Sequence, residues 1–137
     1  MLKLITIHVG SRKGVNMVND SFFLNAEDRT ITMVKGDTMA FNFQVQGLEG
    51  SPDAIAFTCK EHYDDATPLF TSVIGNGVTL IEYEEAKDLA TYCVRVDPTK
   101  TEDLDLASYY YDLQLKKGQD VLTLLRGRLN LIYSVTD

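Results

Sequence analysis

Apolar side chains recur at every second position over most of this chain, and that period admits one kind of element, a strand with one face buried. Met39, Phe41, Phe43 and Val45 share a face, with Ala40, Asn42, Gln44 and Gln46 opposite. Ile55, Phe57 and Cys59 oppose Ala54, Ala56, Thr58 and Lys60. Tyr92, Val94 and Val96 oppose Thr91, Cys93, Arg95 and Asp97, and Tyr109, Tyr111, Leu113 and Leu115 oppose Tyr110, Asp112, Gln114 and Lys116. Leu129, Leu131, Tyr133 and Val135 complete the set. Clean alternation of this kind belongs to antiparallel sheets with one wet face.

The turns fall where such strands need them. Lys35-Gly36-Asp37-Thr38 reads as a tight hairpin between Thr30–Val34 and the Phe41 strand, and Lys117-Gly118-Gln119-Asp120 as another before Val121–Leu125. Gly75-Asn76-Gly77 separates Leu69–Ile74 from Val78–Tyr83, Gly47–Pro52 is a longer turn, and Gly127 reads as a bulge or bend. Glu82–Ala90 lacks alternation and reads as a short helical turn or an acidic loop. Asp97-Pro98 opens a single helical turn, with Asp97 as its cap. The expectation is an all-β, immunoglobulin-like antiparallel β-sandwich of roughly seven to nine strands with an extended N-terminal segment. Residues 1–27 form an arm or first strand, and 28–137 the sandwich.

The N-terminal stretch leaves two readings open. Leu2–Val9 alternates like a strand, Gly10–Asp20 reads as a loop, and Phe22-Phe23-Leu24 as an apolar plug. Either Leu2–Val9 is the sandwich's own first strand, or the segment adds a strand to a neighbouring subunit, with Ile5, Ile7, Phe22 and Phe23 as interface residues. Met17 is an alternative start. The beginning lacks the cleavage site of a signal peptide, and no run reaches the roughly 18 apolar residues of a membrane span.

Charge narrows the partners. The chain carries 13 basic and 20 acidic residues, a net −7, and residues 30–115 hold five basic against fifteen acidic. Such a body repels phosphates, so nucleic acid is not expected as a partner. The more basic ends could meet an acidic neighbour, including another copy of the chain.

Chemistry is sparse. Glu61-His62-Tyr63-Asp64-Asp65 gathers carboxylates and an imidazole but has neither calcium-loop nor zinc spacing, so it reads as a solvated hairpin. His8 falls in the polar register of the first strand. Gly10-Ser11-Arg12-Lys13-Gly14 has phosphate-loop residue types without the Walker spacing. No acid–base pair or nucleophile constellation emerges, so no enzyme, cofactor or metal is expected. Cys59 falls on the core register and Cys93 on the outward one, which argues for free thiols and a reducing compartment. Asp105-Leu106-Ala107-Ser108-Tyr109-Tyr110-Tyr111 is similar to the run leading into strand F of immunoglobulin domains. Tyr109 stands there as a structural tyrosine corner. A carbohydrate-binding platform built on Tyr63, Tyr83 or Tyr110 is the alternative use of the aromatics.

The order of motifs resembles the N-terminal module of phage upper baseplate proteins. It begins at Arg29-Thr30-Ile31-Thr32-Met33-Val34-Lys35-Gly36-Asp37-Thr38 and continues through Ile55–Lys60, Val94-Arg95-Val96-Asp97-Pro98 and Thr101–Leu104. It closes with Tyr109–Leu113 and Arg126-Gly127-Arg128-Leu129, so that roughly residues 28–136 are covered. The resemblance implies a bacteriophage virion structural protein, assembled in the host bacterial cytoplasm and docking onto other virion proteins, with homo-oligomers on the particle. Members of that family often continue into a fibre-carrying stalk. The sequence here ends at Asp137, and the expectation is a tail or baseplate adaptor, or a capsid decoration or head-fibre subunit of the same fold.

Overall fold

The computed structural model describes residues 7–9, 22–24 and 29–133. Ten strands form: β1 (Ile7–Val9), β2 (Phe22–Leu24), β3 (Ile31–Val34), β4 (Met39–Gln46), β5 (Ala54–Lys60), β6 (Phe70–Ile74), β7 (Gly77–Glu84), β8 (Leu89–Val96), β9 (Ser108–Lys117) and β10 (Asp120–Ile132). Eight of them, β3 to β10, lie between residues 31 and 132. They pair in the continuous order β1-β4-β8-β7-β6-β5-β9-β10-β3-β2. The fold is all-β and sandwich-like, with two layers, β1-β4-β8-β7 and β6-β5-β9-β10-β3-β2, joined where β6 runs into β7.

The layers meet through the alternation read above. Phe41 on β4 and Phe57 on β5 are far apart in the strand order, yet their rings lie edge to face at 5.7 Å. Phe57 also meets Tyr111 at 5.5 Å and Phe70 at 6.4 Å, while Phe43 stacks on Tyr92 at 5.6 Å. Every second residue of β4, β5, β8 and β9 is buried into one core that also takes in Ile31, Met33, Leu129 and Leu131.

Two of the pairings are parallel rather than antiparallel, and the first corrects a reading of the turns. The Lys35–Thr38 turn exists, with the Asp37 N–H bonded to the Val34 carbonyl at 3.1 Å, but β3 and β4 do not form a hairpin. β3 instead runs parallel to β10, and β4 pairs with β8 and β1. The turn thus carries the chain across the core from one layer to the other. Its sequence is that of a hairpin because the local backbone geometry is the same; only the destination of the strands differs.

Gly75-Asn76-Gly77 separates β6 from β7 as read, as a kink at which Val73 and Ile74 bridge in parallel to Gly77 and Val78. A side chain at Gly77 would strike Ser72 Cβ at 2.7 Å, so the crossing between layers needs a bare backbone there. Lys117–Asp120 does form the expected hairpin of β9 and β10. Gly127 is not the bulge: the register of β10 shifts between Thr123 and Leu125, upstream of it.

The two helical turns are real but short. Glu85–Lys87 is one turn of 3₁₀ helix, while Glu82–Glu84 and Leu89–Ala90 belong to strands. Pro98–Lys100 is the second, with Pro98 in the first turn. Asp97 does not cap it through its side chain; its carboxylate instead accepts from Arg95 Nε at 2.7 Å.

The N-terminal segment pairs within the chain at both ends of the strand order. β1 lies antiparallel to β4, with His8 opposite Gln44, and β2 lies antiparallel to β3. Ile7, Phe22 and Phe23 are therefore strand residues that cover the chain's own sheet ends. Ile5, Met17, the loop Gly10–Asp20 and the Gly10–Gly14 stretch lie outside the described residues.

Both cysteines are free. Cys59 is buried in the core, and burial pushes its thiol from an ordinary 9.0 up to about 12. Cys93 is half-buried on the outer register, and its thiol is also raised by burial, with Arg95 pulling it back. A neutral buried Cys59 supports the fold below pH 9, and that contribution is lost as pH rises towards 12. Alkylation of the folded protein at mildly alkaline pH is accordingly expected to give at most one adduct, slowly and at Cys93, with the second appearing only in denaturant. Intact mass before and after unfolding reads this directly; rapid labelling at Cys59 in the folded protein would contradict its placement.

Candidate functional site

The outer face of β9 and β10 carries the most distinctive side-chain cluster among the described residues. Alternation that turns Tyr109 and Tyr111 inward turns Tyr110 outward, and cross-strand pairing sets Arg128 opposite Tyr110 and Arg126 opposite Asp112. Tyr63, in the loop after β5, leans over the same face with its ring 5.8 Å from that of Tyr110. The Arg126 guanidinium lies over the Tyr63 ring at 4.8 Å, and that of Arg128 over the Tyr110 ring at 4.4 Å. Together with Gly127 these groups line a shallow cleft of about 200 Å³.

Electrostatically this cleft is a cationic spot on an acidic body. Among the described residues no carboxylate makes an ion pair with Arg126 or Arg128; the pairs that occur are Arg95–Asp97, Lys87–Glu84 and His62–Asp65. Asp112, half-buried beside them, has its carboxyl raised by burial, with Lys60 drawing it back down. At these distances the negative ring faces attract the guanidiniums, which fixes both cations beside the cleft. The arrangement can bind carboxylates or other planar oxyanions.

The carbohydrate platform read from Tyr63, Tyr83 and Tyr110 is only partly assembled. Tyr63 and Tyr110 are neighbours, but each ring has a guanidinium over one face. Tyr83 is on β7, where its hydroxyl donates to Asp88 at 2.9 Å, a bond that raises the phenol's pKa. Sequence reasoning missed the two arginines: their two-residue spacing on one strand was available, but the bulge between Thr123 and Leu125 decides that they oppose Asp112 and Tyr110.

Tyr109 is buried and donates its hydroxyl to the Asp105 carbonyl at 2.8 Å, four residues upstream, which is the geometry of a tyrosine corner. Burial raises its pKa, with the Asp105 charge adding to the shift. Tyr109→Phe is expected to cost about 1 kcal/mol without altering the fold, read as a lower denaturant midpoint at constant slope. Tyr111 donates to the Arg29 carbonyl at 2.6 Å, tying the chain just ahead of β3 to the core.

Glu61, His62 and Asp65 bring ligand atoms within 4.8 Å of one another. The Asp65 carboxylate is, however, occupied in closing the turn, accepting the His62 backbone N–H at 3.0 Å and lying 3.6 Å from its Nδ1. A second, open cleft of about 690 Å³ lies between the Lys35–Asp37 turn and Glu102, Asp105, Leu106 and Tyr133. No helix of the described residues is long and apolar enough to cross a membrane.

One further feature is an uncovered edge. β7 pairs with β8 along its length but with β6 only at Gly77 and Val78, which leaves its far half without a partner on that side among the described residues. Leu80, Ile81 and Tyr83 are 51%, 56% and 47% exposed there, and the register slips between Leu80 and Glu82. No protein-family model matches this chain, and no curated protein matches it.

Proposed function

We propose that this chain is a non-enzymatic structural subunit of a bacteriophage virion, a tail or baseplate adaptor that docks onto neighbouring virion proteins. The observation that carries the docking role is the β7 edge, where three large apolar side chains stand exposed on a strand whose far half pairs on one side only among the described residues. Natural sandwiches shield such edges with charge, bulges or covering segments, and an edge left apolar is a place where another chain pairs or packs. β7 has a bulge and two glutamates, which discourage indiscriminate pairing while leaving the apolar row available. The phage setting is supported by the motif order across residues 28–136. A decoration or head-fibre subunit uses the same surfaces, and location on the particle separates the two.

Particles released from cells that carry the gene provide the test. After density-gradient purification and digestion, peptides of this chain should be recovered in constant proportion to the major tail or head proteins, and antibody labelling should mark the tail end. Recovery only from the particle-free fraction removes the virion reading.

A further inference from the structure

We infer that the Arg126–Arg128 face of one copy receives the Glu82–Glu84 strand of a second copy, so that the chain associates head to tail. Both halves of this contact are exposed pairs of like charge on a strand. Arg126 and Arg128 are two apart on β10 and both are exposed; Glu82 and Glu84 are two apart on β7 and both are exposed. Residues two apart in a strand share a face and are separated by roughly 6.7 Å, so two guanidiniums and two carboxylates repeat at the same interval. A guanidinium carries five N–H donors in a fork that matches one carboxylate, and each of these two lies beside its tyrosine without an ion pair among the described residues.

The partners these groups have inside the chain leave them available. Neither arginine is ion-paired among the described residues. Glu84 holds only a 3.7 Å pair with Lys87, exposed at both ends, and such pairs are weak enough for an incoming guanidinium to displace. Glu82 pairs across β8 with outward-facing Thr91, whereas Tyr83 pairs with core-facing Ala90, so the two glutamates lie together on the outer face of β7. A symmetric β7-to-β7 pairing is the competing arrangement, but it would bring like charges together, which costs free energy. The basic and acidic faces lie on different layers of the sandwich, so the contact is heterologous and can propagate to a closed ring.

The inference deepens the proposed assembly role and rests on it, yet the two fail separately: a chain that is monomeric in solution but present in purified particles removes this contact alone. Light scattering on the full chain from micromolar to millimolar concentration is the experiment. The wild type should exceed its monomer mass of 15.4 kDa as concentration rises and return to it in high salt. Arg126→Gln/Arg128→Gln and Glu82→Gln/Glu84→Gln, each checked for an unchanged circular dichroism spectrum, should remain monomers. Mixed in equal amounts, the two variants should form one 1:1 dimer at twice the monomer mass and no larger species, because each retains one intact face. A wild type monomeric throughout, variants that associate like the wild type, or a mixture that stays monomeric overturns the inference.

Discussion

Phe57→Ala is expected to remove about 3–5 kcal/mol of stability, the largest loss from any single substitution considered for this chain. Phe57 is fully buried at the centre of β5, and its ring touches Phe70 and Tyr111 from its own layer and Phe41 from the opposite one. Truncation therefore opens a void where the two layers meet, and three neighbouring rings lose an aromatic partner. The backbone cannot collapse to fill it, because β5 is hydrogen-bonded on both sides, to β6 and to β9. A domain of this size holds about 5–15 kcal/mol in total, so the variant should be near the limit of folding at ambient temperature. Urea denaturation followed by tyrosine fluorescence measures it; Phe57→Leu, which keeps most of the volume, should lose much less. A loss below about 1 kcal/mol for the alanine variant would mean that the layers do not pack through this ring.

The inward position of Phe57 was legible in the sequence, and so was most of the core, because inward and outward positions on a paired strand differ by one residue and burial is strongly selective at that scale. Met39 to Val45, Ile55 to Cys59, Tyr92 to Val96 and Tyr109 to Leu115 all face the core as the alternation has it. What the alternation could not give is which strand lies beside which. The Lys35–Thr38 turn is the clearest instance: a Gly-Asp turn returns the chain on itself equally well within a layer or across two layers, and only long-range packing of β3 on β10 decides. The last residues of β7, beyond the Val78–Tyr83 stretch read after the Gly75–Gly77 turn, were only partly legible for a related reason. Its bulge near Ile81 breaks the period of two, so Glu82–Glu84 reads as part of a helical or acidic stretch when it is a strand. The Arg128–Tyr110 contact depends on the bulge that shifts the β9–β10 register, and the Arg126–Tyr63 contact on which loop leans over β10, neither of which a local pattern encodes. Tyr109 was accessible because its partner is only four residues away.

Gly127→Ala is expected to destabilise the protein by about 1–3 kcal/mol, where most glycine-to-alanine changes in a strand would stabilise it by a few tenths to about 1 kcal/mol. The sign reverses because the Arg29 carbonyl oxygen lies 2.6 Å from where the new methyl would stand, and its carbon at 3.1 Å. That obstacle is backbone, held on one side by the Tyr111 hydroxyl and on the other by β3, whose Ile31 pairs with Leu129 two residues beyond Gly127. Arg29 itself has a left-handed backbone, φ 63°, so its carbonyl direction has little room to adjust. The methyl must therefore push the Arg29 peptide away from β10 and break the Tyr111 hydrogen bond. Tyr111→Phe alone should cost about 1 kcal/mol through loss of that bond. Combined with Gly127→Ala it should cost almost nothing more, since both changes act on one carbonyl, giving a coupling within the 0.5–3 kcal/mol range of directly contacting groups. Strict additivity in a double-mutant cycle of denaturant midpoints would show that the carbonyl stays bonded when the methyl is present. Because Gly127 separates Arg126 from Arg128, the same displacement would disturb the spacing of the two guanidiniums, and a loss of self-association in Gly127→Ala should accompany its loss of stability.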